Sequence, residues 1–86
     1  MDDRLINWVK DGEYRIRTLK LLQSHPLLPS EIASILGVHR VSISRVLRDL
    51  RSKALVERIE SGSRTKTQRL TPLGKELVKQ LLEARL

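Results

Sequence analysis

Six residues able to address a base pair or a phosphate crowd into nine positions: Arg40, Val41, Ser42, Ser44, Arg45 and Arg48. A guanidinium can bond bidentately to guanine O6 and N7, a hydroxyl can donate or accept, and valine methyls can lie against a thymine methyl. On a helix advancing about 100° per residue, Val41, Ser44, Arg45, Arg48 and Ser52 share one stripe, opposite Ile43, Val46, Leu47, Leu50 and Ala54. One face can bury; the other offers cations, hydroxyls and an aliphatic group to a partner. Arg64 and Lys66 repeat the cationic chemistry further along.

Other chemistries lack their residues. The chain has no cysteine and two separated histidines, His25 and His39, so disulfides, thiolate metal sites and a conventional zinc site are not expected. Neither histidine has an evident serine or carboxylate partner, and there is no glycine-rich phosphate loop. An enzyme, a cofactor and a bound metal are therefore not expected. The charge points the same way. Between His39 and Leu70, nine basic residues face three acidic ones, which places nearly all of the net +7 on one segment. A polyanionic partner follows more naturally from clustered charge than from a scattered solubilising surface.

With 86 residues, 40% hydrophobic and 31% charged, the chain reads as one small globular domain over 1–86 rather than a disordered segment. No apolar run is long enough for a membrane span, and the first residues, MDDRLINWVKDGE, lack a signal peptide's features, so no membrane partner and a cytoplasmic, nucleoid-associated location are expected.

The elements that must hold the basic stripe can be read in order. Asp2 to Lys10 is a short amphipathic helix, ended by Asp11-Gly12, and Glu13 to Ser24 is a second, ended by His25-Pro26. Leu27-Leu28-Pro29 is an extended bridge, or a short strand. Ser30 then reads as the N-cap of a helix reaching Leu36, with Gly37 supplying a left-handed turn and Val38 plugging the gap before the next helix. That next helix runs from His39 or Arg40 to about Lys53, with His39 as its cap. Two helices meeting at a tight turn, the second with a basic outward face, make a helix-turn-helix layout. Leu55 to Glu60 and Thr65 to Leu70 then form a hairpin around Ser61-Gly62-Ser63. Val56 and Leu70 face the core, whereas strict alternation puts Ile59 on the other face. Thr71 caps a last helix with Pro72 at its first position, and Leu73, Leu77, Val78, Leu81 and Leu82 form its stripe.

The fold class is thus mostly α with a small β-hairpin. SEIASILGVHRVSISRVLRDLRSKALVER, followed by a basic turn and RLTPLG, resembles small winged helix-turn-helix regulators of the MarR and ArsR type. The resemblance covers Tyr14 to Leu82. It departs at Ala54, where such families commonly have glycine, and in lacking the ArsR-type cysteine metal motif, since the corresponding helix reads RVLRDL. It implies a recognition helix at 39–53 in the major groove and a wing at 61–67 on the backbone or in a narrow minor groove. On that footing Arg40, Val41, Ser44 and Arg45 reach base edges, and Ser30, Ser42 and Arg48 reach phosphates. His39 caps the helix or meets a phosphate, and Arg64 and Lys66 serve the wing.

The function expected is sequence-specific binding of double-stranded DNA as a transcriptional regulator, a repressor since no activation surface is evident. Two alternatives stand beside it: an architectural protein of low sequence preference, and a winged helix used for protein contact. One such domain offers too few base contacts for genomic specificity, so a homodimer is expected. Its surfaces would be the Leu5, Ile6, Trp8, Val9 cluster and the Leu77, Leu81 stripe.

Overall fold

Ile43, Leu47 and Leu50 recur at spacings of four and three and are buried to within 1% of full burial, which makes one stripe of the basic helix the centre of the core. The computed structural model describes residues 2–60 and 66–83. Their order is α1 (Asp3–Lys10), α2 (Glu13–Leu22), α3 (Pro29–Leu36), α4 (Arg40–Ser52), β1 (Val56–Ile59), β2 (Thr67–Leu70) and α5 (Pro72–Glu83). Around the α4 stripe pack Leu19 and Leu22 of α2, Ile32 and Ala33 of α3, Leu55, Val56 and Leu70 of the hairpin, and Leu77 and Val78 of α5.

Local chemistry sets the element ends. Asp2 caps α1 by accepting from the Arg4 N–H at 2.9 Å. Helix α2 ends at Leu22, two residues before the expected Ser24. The cap of helix α3 falls two residues earlier than expected: Pro29 takes the first helical position and Leu28 the cap position, so Ser30 lies inside the first turn and is not the cap. Proline's fixed φ and missing donor favour that position over a serine cap one step later. The Leu28 N–H is satisfied instead by the Glu31 carboxylate at 2.8 Å. Gly37 adopts φ 69°, the left-handed turn that joins α3 to α4, and Val38 is half-buried between them.

Strands β1 and β2 pair antiparallel, with Val56 opposite Leu70 and Ile59 opposite Thr67. Val56 and Leu70 are buried; Ile59 lies on the other face, half-covered. Leu27 adds a one-residue bridge, exchanging backbone bonds with Gln68 at 3.0 and 2.8 Å. The expected turn Ser61-Gly62-Ser63 lies outside the described residues.

After α4 the chain turns through Ala54, the one non-glycine residue with positive φ (59°) among those described. The Leu55 N–H bonds the Leu50 carbonyl at 3.0 Å and the Ala54 N–H bonds that of Arg51 at 2.9 Å, the paired closure of a helix end that normally recruits glycine. An L side chain in this region costs on the order of 1 kcal/mol. Ala54→Gly is therefore expected to stabilise the chain by about 1 kcal/mol, raising the thermal midpoint by about 4–8 °C. An unchanged midpoint in calorimetry would show that the turn carries no such strain.

The next residues lock α5 onto this corner. The Thr71 hydroxyl donates to the Ala54 carbonyl at 2.6 Å and accepts from the Gly74 N–H at 3.0 Å, and the Thr71 N–H bonds the Leu55 carbonyl at 3.1 Å. A Cβ on Gly74 would lie 2.1 Å from the Leu55 carbonyl oxygen, so the first turn of α5 touches backbone there.

At the other end, α1 packs on α2. The Arg15 guanidinium lies over the Trp8 ring, 3.9 Å from its centroid, and donates to the Trp8 carbonyl at 2.6 Å. Lys53, just past α4, approaches the same ring to 5.3 Å. Of the residues expected to form a dimer surface, Val9 and Leu77 are fully buried and Leu81 is 8% exposed. These three pack in the chain's own core, because a short domain spends most of its apolar stripes on itself. Leu5, Ile6 and Trp8 are half-buried, and Leu73 and Leu82 remain exposed.

Candidate nucleic-acid interface

Burying Ile43, Leu47 and Leu50 leaves the opposite side of α4 to solvent, and Arg40, Val41, Ser42, Ser44, Arg45 and Arg48 are all exposed there. Val41 is 65% exposed, an aliphatic group that its own fold does not cover. His39 holds the cap position of α4, but its side chain makes no capping bond; an imidazole is a poorer acceptor for helix N–H groups than the short oxygen side chains that usually cap. Ser30 is exposed in the first turn of α3. Arg64 lies outside the described residues.

The face divides into two parts. Val41, Arg45 and Arg48 point straight away from the core. Arg40, Ser44, Leu47 and Arg51, at spacings of four, three and four, turn toward the hairpin and line a cleft of about 420 Å³ whose far wall carries Arg58, Lys66 and Gln68. Gln68 is 2% exposed. Its Oε1 accepts from Arg51 Nη1 at 3.0 Å and its Nε2 donates to the Lys66 carbonyl at 3.2 Å, so both ends of a buried amide are satisfied.

Carboxylates neutralise little of this surface. Arg48 approaches Asp49 at 3.7 Å, an exposed pair of small worth. Arg69 pairs with Glu57 across the strands at 2.6 Å. Lys66 bonds Glu60 at 2.9 Å, and that hydrogen bond, then the lysine charge, holds the Glu60 carboxyl below its ordinary pKa. Arg51 meets Gln68 rather than Glu57 or Glu60. Burial, and then the cations Arg58 and Arg48, hold its guanidinium below its ordinary pKa. Among the described residues Arg40, Arg45 and Arg58 have no carboxylate partner. No described helix is long and apolar enough to cross a membrane.

Sequence reasoning missed Arg51, Arg58 and Gln68 as parts of this surface. Arg51 could have been found from its spacing of seven after Ser44; Gln68 gives no sign in the sequence that a buried amide faces α4.

Two helices joined at Gly37, a hairpin behind them and an uncovered cationic face on the second helix define a winged helix-turn-helix module. The chain belongs to the MarR family, whose model matches residues 15–64. No curated protein sequence matches it. Among solved structures it is similar to Rv1404 from Mycobacterium tuberculosis, with 28% identity and a TM-score of 0.84 over 93% of this chain. It is equally close in fold to Staphylococcus aureus MepR in complex with DNA, with 27% identity and a TM-score of 0.84 over 94% of this chain. A point mutant of Lactococcus lactis ZitR, 18% identical, shares the fold over 84% of this chain with a TM-score of 0.78. This chain spans 58% of the Rv1404 chain, 69% of MepR and 51% of ZitR.

Proposed function

We propose that this protein binds double-stranded DNA at a specific sequence as a transcriptional regulator, acting as a repressor. The observation that carries the reading is the α4 face: Val41, Arg45 and Arg48 exposed directly opposite a fully buried Ile43, Leu47, Leu50 stripe. A rigid helix that presents forked donors, hydroxyls and uncovered methyls together fits the major groove better than it fits a uniform phosphate surface. The similarity to MepR, solved on DNA and described as a transcription regulator of a multidrug efflux pump, supports it.

In this reading Arg40, Val41, Ser44 and Arg45 address base edges, while Ser30, His39, Ser42 and Arg48 address phosphates. The hairpin, with Arg64 and Lys66, follows the backbone toward the minor groove. Two copies act together. The half-buried Leu5, Ile6 and Trp8 and the exposed Leu73 and Leu82 are apolar groups of the terminal helices available for that contact. A twofold dimer sets half-sites about 34 Å apart on an inverted repeat.

Selection from a random duplex pool at about 0.15 M salt, with sedimentation of the complex, tests this. An inverted repeat bound by two chains is expected. Tight binding without a motif would transfer the face to architectural packaging of DNA, and absence of binding to any duplex would overturn the proposal.

A further inference from the structure

The cleft between α4 and the hairpin gathers more positive charge than its own fold uses. Arg40, Arg51, Arg58 and Lys66 converge on it, and among the described residues Glu60, paired with Lys66, is the one carboxylate bonded to any of the four. Gathering like charges beside a buried wall is unfavourable; burial first, and then the neighbouring cations Arg58 and Arg48, lower the basicity of Arg51. An oxyanion in the cleft would add an attraction to each of these cations and offset their mutual repulsion. Arg51 is also prepared for one: Gln68 takes one Nη1 hydrogen, leaving the rest of a five-donor fork, while the Lys66 carbonyl holds the Gln68 amide from its other end. At about 420 Å³ the space is many times the ~30 Å³ share of a water molecule.

Resting on the DNA-binding reading above, we infer that this cleft seats a phosphodiester of the duplex backbone, with Arg51 as its ligand and Gln68 as the residue that positions Arg51. The groove geometry supplies the anion. When a recognition helix fills the major groove and the hairpin reaches the neighbouring minor groove, the strand dividing the two grooves must pass between them. Arg40 and Ser44 belong both to the cleft and to the exposed face of α4, so the cleft opens on the side from which that strand arrives. A phosphate held there fixes the angle between helix and hairpin on the duplex without reading a base.

The test is the salt dependence of Kd on the selected duplex and on a scrambled one, for the wild type, Arg51→Met, Gln68→Leu and the double variant, with a thermal midpoint for each. Arg51→Met keeps the aliphatic stem. It is expected to weaken binding roughly tenfold on both duplexes and to make the slope of log K against log salt shallower by about 0.9, one phosphate contact. Gln68→Leu keeps the charge and the volume, so it should retain the slope, lose a few-fold in affinity and add nothing to Arg51→Met in the double variant. If Arg51→Met does not fold, Arg51→Lys replaces it, expected to keep the slope and lose the affinity that the fork provides. Wild-type binding with an unchanged slope in Arg51→Met overturns this inference and leaves the regulator reading standing; failure of the wild type to bind any duplex overturns both. A saturable rise in midpoint with inorganic phosphate below about 1 mM at fixed ionic strength, lost in Arg51→Met, would assign the cleft to a free small oxyanion and overturn the backbone assignment.

Discussion

Gly74→Ala is expected to destabilise this protein by about 3 kcal/mol or more. The added methyl would lie 2.1 Å from the Leu55 carbonyl oxygen and 3.1 Å from its carbon, and neither atom can rotate out of the way as a flexible side chain could. Leu55 is held on both sides, by its N–H on Leu50 and by its carbonyl on Thr71, and it is fully buried. Relief requires moving α5 off the corner, which would break the Thr71 hydroxyl bonds to Ala54 and Gly74 and loosen Leu77 and Val78. A domain of this size has a total stability of roughly 5–10 kcal/mol, so the loss is a large share of it. The thermal midpoint should fall by about 12–24 °C, read by far-UV circular dichroism, with urea unfolding giving the free energy directly. A midpoint within a degree or two of wild type would mean that α5 does not approach the corner this closely.

Arg45→Ala should act on the other property, leaving the fold alone and removing selectivity. Arg45 is exposed, has no carboxylate partner among the described residues, and lies two positions from the fully buried Ile43 on a rigid thirteen-residue helix. Its guanidinium therefore has a fixed origin and a free fork, the combination a bidentate guanine contact needs. Losing such a contact costs about 1–3 kcal/mol of discrimination, or roughly 5- to 150-fold in preference for the selected site over a scrambled one. Binding to scrambled DNA should change only a few-fold, and the stability should remain within about 0.5 kcal/mol of wild type. This profile is the opposite of that expected for Arg51→Met, which weakens both duplexes together. If Arg45→Ala lowers affinity for both duplexes equally, Arg45 is a phosphate contact and base reading rests with its neighbours.

Much of the fold was legible because single residues allow few alternatives. Gly37 between two apolar-periodic runs marks the helix pair, and the switch from helical spacing to Leu55-Val56 marks the hairpin, whose Val56 and Leu70 do face the core. Ala54 in a glycine position announces a strained helix end, and the backbone there is left-handed. Where two local signals compete, the more familiar one misleads: Ser30 promises a cap, but Pro29 fits the first helical position and takes it. His39 reaches the cap position without capping. The exposed face of α4 can be read from periodicity, since a helix that buries one stripe must show the other. The cleft cannot. Arg51 and Gln68 stand seventeen residues apart, and Gln68 is also the residue of β2 that bridges to Leu27. Periodicity also shows that a stripe is covered without naming its cover, which is why Val9, Leu77 and Leu81 read as a partner's surface when the chain's own core takes them.

The packing of Trp8 has a spectroscopic consequence. This indole is the chain's single tryptophan, and two cations lie against it: Arg15 from α2 and Lys53 from the end of α4. The emission of an excited indole shifts with the charges and water within a few ångströms of its ring. Unlabelled protein therefore carries an optical gauge of the distance between α1 and the tail of α4, the helix proposed to meet DNA.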